Sequence, residues 1–121
     1  MKRADAVSEM NLAELQTRAL RATALLKAMS NPVRLLVLCQ LAESEKSVGE
    51  LERVVDVSQS ALSQHLALLR GRGVVKSRRA GQTIFYSLAG VEAPTLLAAL
   101  YQIYCSKAVK SRQRRAQLEP V

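Results

Sequence analysis

Val57-Ser58-Gln59-Ser60-Ala61-Leu62-Ser63-Gln64-His65-Leu66-Ala67-Leu68-Leu69-Arg70 is the stretch that decides the fold. Leu62, Leu66 and Leu69 fall at i, i+4 and i+7, so they share one face of a helix that turns toward a core. Ser58 is a good N-cap, which starts the helix just after it and lets it run to about Arg70. The other side carries Gln59, Ser60, Ser63 and Gln64 near the amino end. Glutamine can pair bidentately with adenine and serine with several base edges. Taken alone, such a stripe is usually no more than solvated surface; its neighbours change the reading.

Upstream, Ser47-Val48-Gly49-Glu50 has the spacing of a capping box, in which serine and glutamate satisfy two orphan backbone donors reciprocally. Leu51, Val54 and Val55 give the helix it starts an apolar face, and Asp56-Val57 breaks the pattern before Ser58. Downstream, Gly71-Arg72-Gly73 closes the second helix, glycine being suited to a left-handed C-cap. Val74 to Arg78 and Thr83 to Leu88 then read as two strands, with Ile84, Tyr86 and Leu88 alternating against Thr83, Phe85 and Ser87. Arg78-Arg79-Ala80-Gly81-Gln82 is left as the hairpin tip. Arg78, Arg79 and Gln82 there suit phosphate or minor-groove contacts, although a charged tip also simply protects a sheet edge. Helix, short turn, helix and basic hairpin is the order of a winged helix-turn-helix. The expected fold is therefore mainly α with a small β-hairpin wing, its second helix meeting base edges in a major groove.

Charge placement supports that reading more than charge total does. Residues 1–69 carry 8 basic and 8 acidic side chains, whereas residues 70–121 carry 10 and 2, so the second part supplies the whole net charge of +8. Arg70, Arg72, Lys76, Arg78 and Arg79 follow the second helix into the wing with no acid among them. A localised basic face is the footprint of phosphate binding. Lys107, Lys110, Arg112, Arg114 and Arg115 form a basic tail, a less specific feature at a chain end.

With 121 residues and 49% apolar content, the chain is expected to form one domain over residues 1–108, followed by a basic, flexible tail over 109–121. No signal-peptide pattern opens it, and no apolar run, Leu35 to Cys39 included, is long enough to cross a bilayer. A soluble, cytoplasmic protein with no membrane partner is expected. An enzyme is not: His65, the sole histidine, is the only general-base candidate of ordinary pKa, and no nucleophile partner is evident. No cofactor is expected.

Three further helices flank this unit. Residues from about Ala6 to Ala28 keep an apolar pattern through Leu12, Leu15, Leu20, Ala24 and Leu25. Asn31-Pro32 starts a strongly apolar helix over Val33 to Ala42, with asparagine as N-cap and proline at the first helical position. The last helix begins near Val91, with Pro94 in its first turn, and carries Leu96, Leu97, Leu100, Tyr101, Ile103 and Tyr104. That is more apolar surface than an outer helix of a small domain needs. The first and last helices are therefore expected to pack against their copies in a homodimer, which would present two recognition helices to a palindromic site.

At this point the chain resembles the ArsR family of winged-helix bacterial repressors. Ala28-Met29-Ser30-Asn31-Pro32-Val33-Arg34-Leu35, the stretch from Val57 to Arg70, Gly73-Val74-Val75, and Arg79-Ala80-Gly81-Gln82 with Tyr86-Ser87-Leu88 carry the likeness. It covers roughly residues 15–108. The resemblance implies a homodimer through the first and last helices that represses by binding double-stranded promoter DNA at an inverted repeat. The DNA-binding set would be Ser58, Gln59, Ser60, Ser63, Gln64, His65, Arg70, Arg78, Arg79 and Gln82, with His65 either touching DNA or bonding within the fold.

The trigger is a separate question. A zinc site wants three or four nitrogen or sulfur ligands, and two thiols with one distant imidazole do not supply them within a subunit, so no metal site is expected. Read from the residues alone, Cys39 and Cys105 are small buried hydrophobes. Leu38-Cys39-Gln40-Leu41 with Tyr101-Gln102-Ile103-Tyr104-Cys105, however, resembles the persulfide-sensing SqrR and BigR type. That resemblance implies a sensing dithiol that reactive sulfur species convert to a polysulfide cross-link, commonly a tetrasulfide, with release of DNA. Such chemistry asks for at least one thiol that is partly exposed and has a lowered pKa, with Lys107 a contributor of unknown direction. A direct disulfide needs Cα atoms within about 7 Å, a limit that added sulfur atoms relax by roughly 2 Å each. An ordinary disulfide formed by general oxidants, a metal or metalloid trigger, and a nucleic-acid or protein-interaction module with inert cysteines remain open as alternatives.

Overall fold

The computed structural model describes residues 10–105. Asn11 begins α1 (Leu12–Met29), its side-chain oxygen accepting from the Glu14 amide at 2.8 Å. The helix thus starts within the apolar pattern that runs from about Ala6 to Ala28, at the asparagine that caps it. Residues 6–9 lie outside the described residues. Asn31 caps α2 (Pro32–Glu43), accepting from the Val33 and Arg34 amides, and Pro32 stands at its first position. Between α1 and α2 the chain turns by 97°.

β1 (Lys46–Ser47) is only two residues long and leads directly into α3 (Val48–Val54). The capping box forms as expected, with the Glu50 amide donating to Ser47 Oγ at 3.1 Å and the Ser47 amide donating to Glu50 Oε1 at 3.0 Å. Ser58 then caps α4 (Gln59–Gly71) by accepting from the Ala61 amide. The end of α4 is a Schellman turn. Gly73 has a φ of 73°, its amide bonds the Arg70 carbonyl, and the Val74 amide reaches back to Leu69. α5 (Glu92–Tyr104) closes the described chain, with Pro94 in its first turn.

β2 (Val75–Ala80) and β3 (Thr83–Leu88) form the expected hairpin, and its tip differs from the sequence expectation. Pairing continues from Val75 opposite Leu88 to Ala80 opposite Thr83, so only Gly81 and Gln82 make the turn. Gly81 has a φ of 64° and Gln82 does not have a positive φ, the pattern of a type II′ turn with glycine first. Arg78 and Arg79 are therefore strand residues, opposite Phe85 and Ile84, rather than tip residues. β3 is the middle strand of three: β1 joins its other edge, with Lys46 opposite Tyr86 and Ser47 opposite Phe85. Ser47 thus serves as a rung of the sheet and as the cap of α3.

The core lies between α2, α3, α4 and the inner end of the sheet. Val37, Leu38, Leu51, Leu62, Leu66 and Leu69 are its most enclosed side chains, and Val74, Val75, Tyr86, Ala93 and Leu97 complete it. The leucine stripe of α4 is buried as its spacing required. Val54 is instead exposed, because α3 ends there and Val55, its C-cap, takes the inward place. α1 buries only Ala28 and Met29, leaving Leu12, Leu20 and Leu26 exposed; Tyr101, Ile103 and Tyr104 of α5 are exposed too. Among the described residues, no single helix is long and apolar enough to cross a membrane.

Candidate nucleic-acid interface

α4 sorts its side chains cleanly. Leu62, Leu66 and Leu69 hold the helix to the core, and Gln59, Ser60, Ser63 and Gln64 stand exposed along its first two turns. Ser58 is occupied with capping, and its Oγ lies 3.3 Å from that of Ser60. Its part in a DNA contact is thus limited to what a cap leaves free. A groove of about 580 Å³ separates α4 from the wing, and it brings Gln59, Ser63 and Arg70 together with Gln82 and Thr83. Helix and wing residues that are about twenty positions apart in sequence thereby share one surface. Glu52 of α3 lines the same groove. Sequence reading missed Thr83 and Glu52, since neither belongs to a basic or amide cluster.

The basic side chains are not equivalent. Arg79 is exposed and has no ion-pair partner among the described residues. Arg70 is exposed and lends Nη1 to Ser77 Oγ at 3.4 Å. Arg78 is held firmly: Nε and Nη2 donate to the two Glu45 carboxylate oxygens at 2.9 and 2.6 Å, and its guanidinium lies 4.7 Å from the centre of the Phe85 ring. A bidentate pair of this kind fixes geometry, so Arg78 clasps the wing to the segment after α2. The partner is 33 residues away, beyond the reach of any local pattern.

The Arg78 guanidinium holds the Glu45 carboxyl below its ordinary 4.5, chiefly through those hydrogen bonds. A folded-state value below the unfolded one means that the clasp stabilises fully above about 4.5 and weakens as pH falls through the lower, folded-state value. Hydrogen-exchange protection of the β2 amides is expected to drop over that acidic range. In Glu45→Gln the same amides should be less protected already at neutral pH, with no further step on acidification; an unchanged acid step in the variant would assign the effect to another group.

His65 is half-buried, and its Nδ1 lies 3.3 Å from Arg34 Nη1 on α2. Of its two sequence readings, the structure gives it the bond within the fold.

Cys39 lies on α2 and Cys105 just after α5, and these two helices pack against each other. Both thiols are exposed rather than the buried hydrophobes that the residues alone implied. Cys39 also feels Cys105 electrostatically. Partial burial pushes the Cys39 thiol above its ordinary value, and the negative charge of a Cys105 thiolate pushes it further the same way. Cys39 is thus not a thiol of lowered pKa. Lys107 lies outside the described residues, as do Lys110, Arg112, Arg114 and Arg115 of the basic tail. Among the described residues no three His, Cys, Asp or Glu side chains come together as a metal site would require.

Residues 31–77 match the family described as "Bacterial regulatory protein, arsR family". The transcriptional activator HlyU of Vibrio cholerae is 48% identical over 96 residues, covering 79% of this chain and 89% of that protein. A structure of reduced HlyU from Vibrio cholerae superposes with a TM-score of 0.75 at 46% identity, covering 78% of this chain and all of the other. The transcriptional repressor BigR from Xylella fastidiosa gives a TM-score of 0.73 at 44% identity, over 81% of this chain and all of its own. The exposed amide and hydroxyl face of α4, the wing beside it and these likenesses agree: the chain belongs to the ArsR family of winged-helix transcription regulators and is of the BigR type.

Proposed function

We propose that the chain is a homodimeric repressor that binds double-stranded promoter DNA at an inverted repeat and lets go when reactive sulfur species bridge Cys39 to Cys105. Two α4 helices, placed in successive major grooves, read the half-sites through Gln59, Ser60, Ser63 and Gln64, while Arg70, Arg79 and Gln82 hold the phosphates. The exposed apolar residues of α1 and α5, with the apolar groove between Leu26, Met29, Leu35, Leu96 and Leu100, support a dimer through those helices. A second copy buries that surface and fixes the distance between the two α4 helices.

The observation that carries the sensing reading is the pair itself: two exposed thiols on mutually packed helices, near enough for one to raise the pKa of the other. Each thiolate takes one sulfane sulfur from a persulfide, releasing the corresponding thiol. A third persulfide, reduced to thiol and hydrogen sulfide, oxidises the two cysteine persulfides to a four-sulfur bridge. Because partial burial, and then the neighbouring Cys105, disfavour ionisation of Cys39, the Cys39 step quickens as pH rises. The bridge pins α2 to α5 and alters the angle between the recognition helices, which two half-sites of fixed spacing do not tolerate. A solved structure of HlyU is described as reduced, which accords with a redox-sensitive group in a similar protein.

Promoter affinity before and after treatment with glutathione persulfide, for wild type and Cys39→Ser, tests this reading. Wild type is expected to lose affinity and to gain the mass of added sulfur between its cysteines, and Cys39→Ser to keep its affinity. Equal loss in both proteins rules the bridge out, and release by peroxide with no added sulfur mass would mark an ordinary disulfide switch.

A further inference from the structure

Arg34 makes three contacts in three directions. Its Nε donates to the Ala28 carbonyl at 2.6 Å, Nη2 to the Lys27 carbonyl at 3.3 Å, and Nη1 meets His65 Nδ1 at 3.3 Å. Lys27 and Ala28 are in the last turn of α1, where the helix dipole favours a cation; the Lys27 carbonyl also accepts from the Ser30 amide at 3.3 Å. His65 is midway along α4. The root of the arginine is fixed as well, since Asn31 caps α2 through the Arg34 amide. α1 and α4 barely touch each other directly, each packing against α2 instead. The guanidinium is therefore the side chain that joins the end of one to the middle of the other.

We propose that Arg34 is a positioning residue for DNA reading, which sets the attitude of α4 relative to α1 through His65, and that His65 serves this tie rather than a base contact. The proposal rests on the reading of α4 as the helix that meets DNA. A guanidinium is a donor only, so Nδ1 of His65 must accept and its ring proton sits on Nε2. Lysine keeps the charge of Arg34 but has no planar fork, and it cannot hold two carbonyls and an imidazole at fixed angles. Since α1 carries exposed apolar surface for a second copy, an error in this angle is doubled across a symmetric pair. Specific binding then suffers, whereas nonspecific attraction to phosphates does not depend on the angle.

The test compares affinity for a duplex enriched from a random-sequence pool by the wild-type protein with affinity for poly(dI-dC). Arg34→Lys and His65→Leu are each expected to lose roughly tenfold in specific affinity with little nonspecific change, and together to lose no more than either alone, as for partners in one interaction. Asparagine sets an amide oxygen near the place of Nδ1, and glutamine sets one near Nε2. His65→Asn should therefore bind close to wild type, and His65→Gln should resemble His65→Leu. Any other order overturns the proposal, in particular glutamine rescuing where asparagine fails, which would make His65 a base reader through Nε2. Additive losses for Arg34→Lys and His65→Leu overturn it too. The asparagine and glutamine comparison decides the matter even if Arg34→Lys does not fold. Gln64→Ala on the exposed face must lose specific affinity in the same assay; if it does not, α4 has been misread and the proposal falls with that reading.

Discussion

Leu38→Ala is expected to lower the free energy of unfolding by about 3 kcal/mol, within the range of roughly 2 to 5 for a fully enclosed leucine. Leu38 is 0% exposed at the centre of α2, and that helix packs against α1, α3, α4, α5 and β3. Removing its branched end opens a cavity that five elements would have to move together to fill, and a close-packed interior relaxes only partly. Urea titration of the variant reads the loss as a lower midpoint at unchanged slope. Its neighbour Cys39 provides the contrast. That side chain is exposed on the other side of the same turn, so Cys39→Ser should change the free energy of unfolding by less than about 0.5 kcal/mol. A loss under about 1 kcal/mol for Leu38→Ala would mean that α2 is not the centre of the core.

Gln64→Ala and Arg79→Ala are expected to part company on DNA. Gln64 is exposed in the second turn of α4 and is proposed to pair with a base edge on the preferred sequence, so its loss should cost about 1 to 3 kcal/mol of specific affinity and little elsewhere. Arg79 is exposed on β2 without an ion-pair partner among the described residues and is free to meet a phosphate. Arg79→Ala should weaken specific and nonspecific binding alike and reduce the slope of log affinity against log salt by about 0.9. Arg78→Ala should show less of that salt effect, since its guanidinium is already engaged by Glu45. Titrations at several salt concentrations separate the three. A salt-dependent, sequence-blind loss for Gln64→Ala would exchange the roles assigned to helix and wing.

Most of the fold was legible because local rules decide it. The caps at Asn31, Ser47 and Ser58 and the leucine spacing of α4 each depend on residues a few positions apart, whereas the expected alternation in β3 holds at Tyr86 and fails at Ile84, which is exposed beside a half-buried Phe85. What escaped reading depends on distance. β1 has only two residues, too few for any periodicity, and exists because β3 offers it an edge. The wing strands run two pairs further than expected because Arg78 and Arg79 are as acceptable in an exposed strand as in a turn, and Gly81 alone supplies the positive φ. The Glu45 clasp and the Arg34 tie to His65 join residues 33 and 31 positions apart, so no local pattern marks them. The same holds for the thiols: their positions were plain, but the direction of the Cys39 shift follows from how α2 and α5 pack.

The double duty of Ser47 has a mechanical outcome. The wing resembles a beam set into masonry, clamped at its root by β1 and α3, with the stretch from Arg79 through the two-residue tip to Ile84 projecting beyond the clamp. A phosphate backbone leaning on that tip meets stiffness instead of a swivel, and the load passes into the start of α3. A duplex whose curvature misses the tip must itself bend to reach it, so the flexibility of the flanking base steps enters the choice of operator without any base there being touched.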